Sequence, residues 1–281
     1  MKTILTIGSC VWVAFQAYAQ VLNVPVASPL QQIRQDISLS FLAVEYSRPS
    51  ARNRVVFGDL VPYDKVWRTG ANQSTKITLG DGVQLEGHRV AAGKYALYSI
   101  PGKTEWTIIL SKNTTWWGAY EYTDADDVLR FKVKPLTLPT SVETLTIGFD
   151  NITQSSAIMS IAWERTRIPI SVEVDNDAQA MKNIQEAMDP ADKRPYIAAA
   201  NYYYENDKDL NQALAWINKS LEADPKAYWA VLLKGKIQLK LKDKEGAAAS
   251  ASKVIALAKE DKSDEYISLG EKLLAEIKTY K

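Results

Sequence analysis

The sequence predicts two unlike domains: a jelly-roll-like antiparallel β-sandwich over residues 36–175, then an array of helical hairpins over residues 176–281. Three observations carry this. Before Asp175, short runs of alternating apolar and polar residues recur between turn signals, the pattern of antiparallel strands rather than of βαβ units. From Asp177 on, glycine becomes scarce, alanine and lysine rise, and apolar residues fall into a helical period. Small residues also recur at an interval of 34, in the pairs Asn201/Gly235 and Ala213/Ala247.

A chain of 281 residues is long enough for two cores, and its 46% hydrophobic and 24% charged residues are those of a globular protein. Lysine and arginine number 34 against 33 acids, so net charge gives no reason to expect nucleic acid or an anionic membrane as partner.

Residues 1–19 read as a secretory signal peptide. Lys2 supplies the positive end, Ile4–Phe15 the apolar run, and Ala17-Tyr18-Ala19 a small-x-small cleavage site before Gln20. The expected protein is therefore exported, periplasmic or secreted in a bacterial cell envelope, with no transmembrane segment once the signal is removed. Cys10 lies inside the apolar run and is the only cysteine, so the mature chain should hold no disulfide, thiol nucleophile or thiolate metal site.

Residues 20–35 read as an extended lead-in, punctuated by Pro25 and Pro29. Asp36–Tyr46 then reads as one strand, with Ile37, Leu39 and Phe41 alternating against Ser38 and Ser40. Ser47–Ser74 keeps no period, apart from a short apolar run at Val55–Phe57; a connection of that length is usually functional, and its aromatic residues argue for order. Strands follow at Thr75–Leu79, Val83–Leu85, Lys94–Ile100, Glu105–Leu110, Val128–Val133 and Val142–Phe149. Two more are expected, one through Ala157, Met159, Ile161 and Trp163, the other through Ile168, Ile170, Val172 and Val174.

In the helical region Leu210, Ala213, Leu214, Ile217 and Leu221 share one helix face, as do Tyr266, Leu269, Leu273 and Ile277. With the 34-residue interval, this resembles tetratricopeptide repeats over Ala191–Glu260, capped by a helix at Ser263–Lys281. Ile197 stands where that family favours tryptophan, and the second unit lacks a closing proline. A plain bundle of helical hairpins is the alternative.

Catalytic chemistry has little to work with. His88 is the one histidine, placed after a Glu86-Gly87 turn, where surface and capping roles are usual. Zinc sites of histidine and cysteine are excluded by count, and Asp124, Asp126 and Asp127 lack the spacing of a calcium loop, so no metal or cofactor is expected. These acids read as a solvated turn pairing with Arg130. No nucleotide-binding glycine motif occurs. Glu45, Asp59, Asp64, Glu86 and Glu121 are candidates for the paired carboxylates that glycan hydrolysis would need.

The informative feature is the arginine distribution. Every arginine except Arg194 precedes the helices, and Arg48, Arg52, Arg54 and Arg68 concentrate in or just before the long loop. Arginine presents a planar fork of donors suited to carboxylate, phosphate or sulfate. Tyr63, Trp67 and Asn72 stand close in sequence, and Trp116, Trp117 and Tyr120 add rings of the kind that grip sugars. The competing expectation is an internal network, in which these arginines pair with Asp59, Asp64 and Asp127 and clamp the loop.

The segments YSRPSARNRVVFG, LVPYDKVWRTGANQST, AGKYALYSIP and WWGAYEY, in this order, resemble the secreted bacterial family known as domain of unknown function 2911. The resemblance covers about residues 28–174, and WRTGAN is its most distinctive part. It implies a β-rich exported domain and brings no activity or site residue. The function expected from the residues is binding: an anionic or carbohydrate-like ligand at the arginine/aromatic loop, and a peptide or envelope protein on the helices. The rivals are a hydrolase of glycan or peptidoglycan fragments and a scaffold without a small ligand.

Overall fold

The computed structural model describes residues 24–189 and 194–280. The expected signal peptide and its cleavage site lie outside the described residues. The chain divides into two compact units meeting at Asn176 and Asp177.

In the first unit two antiparallel sheets share one apolar core. The strands are β1 (Leu30–Ile37), β2 (Ser40–Ser47), β3 (Ala71–Leu79), β4 (Val83–Leu85), β5 (His88–Arg89), β6 (Gly93–Ile100), β7 (Trp106–Ser111), β8 (Asp127–Val133), β9 (Leu136–Asp150) and β10 (Ser156–Val174). One sheet has the order β1-β2-β3-β6-β7-β8 and the other β5-β4-β10-β9. Leu42, Val44, Ile77, Leu97 and Ile108 from the first sheet meet Leu145, Met159, Trp163 and Ile170 from the second in that core.

Two expectations are corrected here, both at places where alternation misleads. The single strand Asp36–Tyr46 is a hairpin. Ser38 adopts a left-handed φ of 54°, Leu39 is exposed at the turn, and β1 pairs back on β2 from Leu30↔Ser47 to Ile37↔Ser40. Regular pairing thus starts at Leu30, inside the segment read as a lead-in. Conversely, the two strands expected between Ala157 and Val174 are one strand of 19 residues. A bulge at Glu164, with φ 48° and shifted register on both sides, moves the inward set from Ala157, Met159, Ile161 and Trp163 to Ile168, Ile170, Val172 and Val174.

Tyr46 ties the sheets together. Its buried hydroxyl donates to Gln31 Oε1 at 2.7 Å and accepts from the Ile147 amide at 2.7 Å, from β2 across to β9. Burial pushes this phenol above its ordinary value of 10.0, against the opposing pull of the Ile147 hydrogen bond and the Arg48 charge. Burial likewise raises Tyr98. A phenol whose folded pKa is raised holds its proton more tightly when folded, so its contribution is complete below pH 10 and is lost as pH rises beyond it. The melting temperature of this unit is expected to fall as pH climbs through 10, and Tyr46→Phe to flatten that fall. An unchanged slope in thermal melts of the variant would put the alkaline sensitivity elsewhere.

Among its described residues the second unit has six helices: α1 (Asp177–Met188), α2 (Tyr196–Glu205), α3 (Leu210–Ala223), α4 (Tyr228–Lys240), α5 (Lys244–Glu260) and α6 (Asp264–Thr279). Asp209 caps α3 through the amides of Asn211 and Gln212, and Asp243 caps α5 through the Gly246 amide, so corresponding helices start on corresponding aspartates. Ala213 and Ala247 are both fully buried. The other expected pair is unequal. A Cβ on Gly235 would lie 2.8 Å from Leu273 Cδ2, whereas Asn201 is exposed, because α4 packs against α3, α5 and α6 and α2 chiefly against α3. Among the described residues no helix is long and apolar enough to cross a membrane.

Candidate arginine-lined binding site

The aperiodic segment between β2 and β3 is ordered because it is bonded to both sheets. On one side the Ala51 amide donates to Glu143 O at 2.8 Å, Ser50 bridges Thr144, and the Val56 amide donates to Glu164 Oε1 at 3.0 Å. On the other, Trp67 and Ser99 exchange backbone hydrogen bonds of 2.7 and 2.9 Å, and the Asp64 amide donates to Pro101 O at 2.8 Å. The segment also delivers apolar mass to the core. Val56, Phe57, Val61 and Trp67 are buried, and Trp67 stacks on Trp163 at 6.0 Å with 21° between planes. Left-handed conformations occur at Arg52, Asn53, Asp64, Thr69 and Asn72, which costs stability at each and holds only where the surroundings fix the backbone. Thr69, β-branched and fully buried, is pinned by its hydroxyl against Ser99 Oγ at 2.9 Å.

Beside this segment lies a cavity of about 300 Å³. Arg52, Arg54 and Arg68 line it together with Trp67, Trp163 and Leu60, and Ala27 and Ser28 reach it from the chain just before β1. Its described lining contains no aspartate or glutamate. The Arg54 fork is held by backbone carbonyls, Nε on Ala51 O and Nη2 on Ser50 O, both at 2.9 Å. The Arg52 side chain makes no hydrogen bond or ion pair among the described residues; only its backbone amide is used, donating to Glu143 Oε1 at 2.8 Å. Arg68 is half-buried, its Nε is fully buried without a partner, and no carboxylate pairs with it among the described residues. Three cations therefore share one concavity with an indole wall and no counter-charge in its lining. A buried cationic donor left without a partner is costly, by about 1–3 kcal/mol or more; Nε itself is closed to solvent, so an anion in the cavity would offset the charge of the guanidinium without supplying the bond that Nε lacks.

The remaining sequence-predicted residues divide. Arg48 faces β9, with Nε on Leu145 O at 2.9 Å and Nη2 on Thr146 Oγ1 at 2.8 Å, and does not line the cavity. Tyr63 packs on the core with Lys103 Nζ 5.9 Å from its ring centre. Asn72 donates to Ser28 O and Ser47 Oγ, at 3.3 and 3.2 Å, and so holds the segment that brings Ser28 to the cavity. Trp116 is half-buried against Tyr122 over the outer face of the first sheet. Trp117 and Tyr120 are 61% and 90% exposed on the same loop. Arg68 links the two regions: a Cβ built on Gly118, between those rings, would lie 3.4 Å from Arg68 Nη1 and 3.4 Å from the Tyr120 ring.

The expected pairing of the loop arginines with Asp59, Asp64 and Asp127 does not occur; their partners are backbone carbonyls and the Thr146 hydroxyl, or absent among the described residues. Asp127 instead accepts from Arg130 and from the Tyr122 hydroxyl, whose pKa is driven up by burial and by that carboxylate. Glu45, Asp59, Asp64, Glu86 and Glu121 are not in the cavity lining, and His88 is exposed, stacked over Phe131. Two features escaped the sequence. Trp163 reads as an ordinary inward residue of β10, and only the adjacent bulge at Glu164 distinguishes it. Lys76 sits at an outward position of β3 yet is 7% exposed, its Nζ held by Ser74 O and Oγ at 3.1 and 3.2 Å. Burial lowers its pKa, with Lys94 adding to the shift and Glu45 opposing it.

Comparison with known proteins gives a match to the family model described as "Protein of unknown function (DUF2911)" over residues 28–172. No curated protein and no solved structure matches.

Proposed function

Starting from a chain that belongs to the DUF2911 family, whose description assigns no activity, we propose that the sandwich is a binding module for a small anion, held in the cavity of Arg52, Arg54 and Arg68. The observation that carries this is the lining itself: three guanidinium groups, two of them without a hydrogen bond or ion pair, and no described carboxylate. Arg54 is fixed by two carbonyls through Nε and Nη2, which leaves Nη1 as its unused nitrogen and reduces the side-chain entropy lost on binding. Arg52 and Arg54 are exposed, whereas Arg68 is half-buried and adjoins Trp67, which is buried against Trp163, so the gain from a lowered local dielectric falls on the Arg68 contact. Carboxylate, phosphate and sulfate all match the bidentate geometry of arginine. Hydrolysis by a carboxylate pair draws no support from this cavity. For the helices we read a tetratricopeptide-like pair of hairpins, supported by the caps at Asp209 and Asp243 and the buried Ala213 and Ala247.

The test is a titration of the whole protein with sodium sulfate, phosphate, citrate and glucuronate at constant ionic strength, followed by tryptophan fluorescence and by melting temperature. At least one anion is expected to saturate, stabilising the sandwich in proportion to ln(1 + [L]/Kd). Arg52→Ala, which removes no hydrogen bond of the side chain, should weaken it about tenfold, a loss typical of one charged contact. The Arg52→Ala/Arg68→Ala double variant should abolish it. Equal responses in wild type and double variant, or no saturation by any of the four, would overturn the assignment.

A further inference from the structure

We infer that the anion is carried on a saccharide, with its charged group in the arginine cavity and a neighbouring sugar ring resting on the Trp117/Tyr120 loop. This rests on the anion reading above and extends it to a ligand class. The cavity, at about 300 Å³, has room for one charged sugar unit and not for a chain of them, so a longer ligand must leave it. Arg68 marks where it leaves. The same residue lines the cavity and brings Nη1 to Gly118, next to the Tyr120 ring. Gly118 has a φ of 86°, a left-handed backbone that favours glycine, and Arg68 and Tyr120 both stand at ordinary contact distance, 3.4 Å, from where its Cβ would be. Its carbonyl accepts from the Tyr98 hydroxyl at 3.1 Å, and the Trp116 carbonyl accepts from Ser74 Oγ at 3.4 Å, so the loop is fastened to the sheet beneath.

On that fixed loop, Trp117 and Tyr120 spend their apolar faces on solvent, 61% and 90% exposed, while Trp116 and Tyr122 are turned inward. Large exposed rings beside a charged cavity suit a ligand with an apolar face and a hydroxylated rim. A pyranose has both: its axial C–H groups cover the ring and its hydroxyls keep their water. A planar base would gain most between two rings in a closed slot, and the rings here are open to water on their outer faces.

The probe is a chondroitin sulfate tetrasaccharide, which carries carboxylate, sulfate and sugar rings together; inorganic sulfate, cellotetraose and AMP are run beside it, with calorimetry on the whole protein. The tetrasaccharide is expected to bind at least about tenfold more tightly than sulfate, a gain in the range of one to two ring-stacking contacts. Trp117→Ala/Tyr120→Ala should remove that gain and leave sulfate affinity unchanged, and cellotetraose alone should bind weakly. A tetrasaccharide no tighter than sulfate, one indifferent to the double variant, or AMP binding as tightly as the tetrasaccharide would each overturn the saccharide inference and leave the anion site standing. Failure of sulfate and tetrasaccharide together, with Arg52→Ala/Arg68→Ala also without effect, would overturn both.

Discussion

Trp67→Ala is expected to destabilise the sandwich by about 3–5 kcal/mol, the cost of emptying a large buried aromatic site. The indole stacks on Trp163 at 6.0 Å and meets Phe57 and Trp106 edge-on at 6.1 and 6.2 Å, so its removal opens the centre of one aromatic cluster. Its Nε1 also donates to Gly70 O at 3.1 Å, a contact that holds the turn leading into β3. The adjacent Arg68→Ala should behave differently. That side chain has no hydrogen bond or ion pair to lose, so the melting temperature should stay near wild type while anion-induced stabilisation disappears. Denaturant unfolding of both variants checks this. If Arg68→Ala falls as far as Trp67→Ala, its half-buried stem is an internal prop and the cavity charge is incidental.

The second large effect is expected in the helices. Ala247→Leu should destabilise that unit by about 1–3 kcal/mol through overpacking. Ala247 is fully buried with Val231, Leu232 and Leu273, and its carbonyl lies 3.5 Å from where a Cβ on Gly235 would stand. The three further heavy atoms of leucine there must displace α4 or α6. Ala249→Leu, two residues on at an exposed position of the same helix, should leave the helical melting transition nearly unchanged. Equal effects of the two substitutions would remove the support that close packing at Ala247 gives to a repeat.

The change of fold class near Asp175 was legible because it depends on local periodicity. Alternation fixes which strand face turns inward, and the 3.6-residue stripe of Leu210, Ala213, Leu214 and Ile217 fixes a helix face, with no knowledge of what lies opposite. Alternation failed where the backbone changes hand without changing composition. Ser38 and Glu164 are ordinary polar residues in the sequence, yet one reverses the chain and the other only bulges it, and strand pairing decides which.

The site divides in the same way. Clustering of arginines and aromatics marked residues 48–72 and 116–120 from composition alone, because guanidinium and indole chemistry belongs to the residue type. The sequence could not assign those arginines individually. Arg48 and Arg54 both donate to backbone carbonyls, at similar distances, but Arg48 does so on β9, away from the cavity, and Arg54 within its wall. Trp163 stands nearly a hundred residues from Trp67 and meets it only because the two sheets pack face to face. Periodicity and residue chemistry are properties of neighbours along the chain, and they set the strands, the helix faces and the side-chain types that the loop carries. The lack of an ion pair at Arg52 and Arg68 is a property of neighbours in space, and only the tertiary fold, by carrying Glu143 and Glu164 to loop amides instead of to these guanidinium groups, leaves them unpaired.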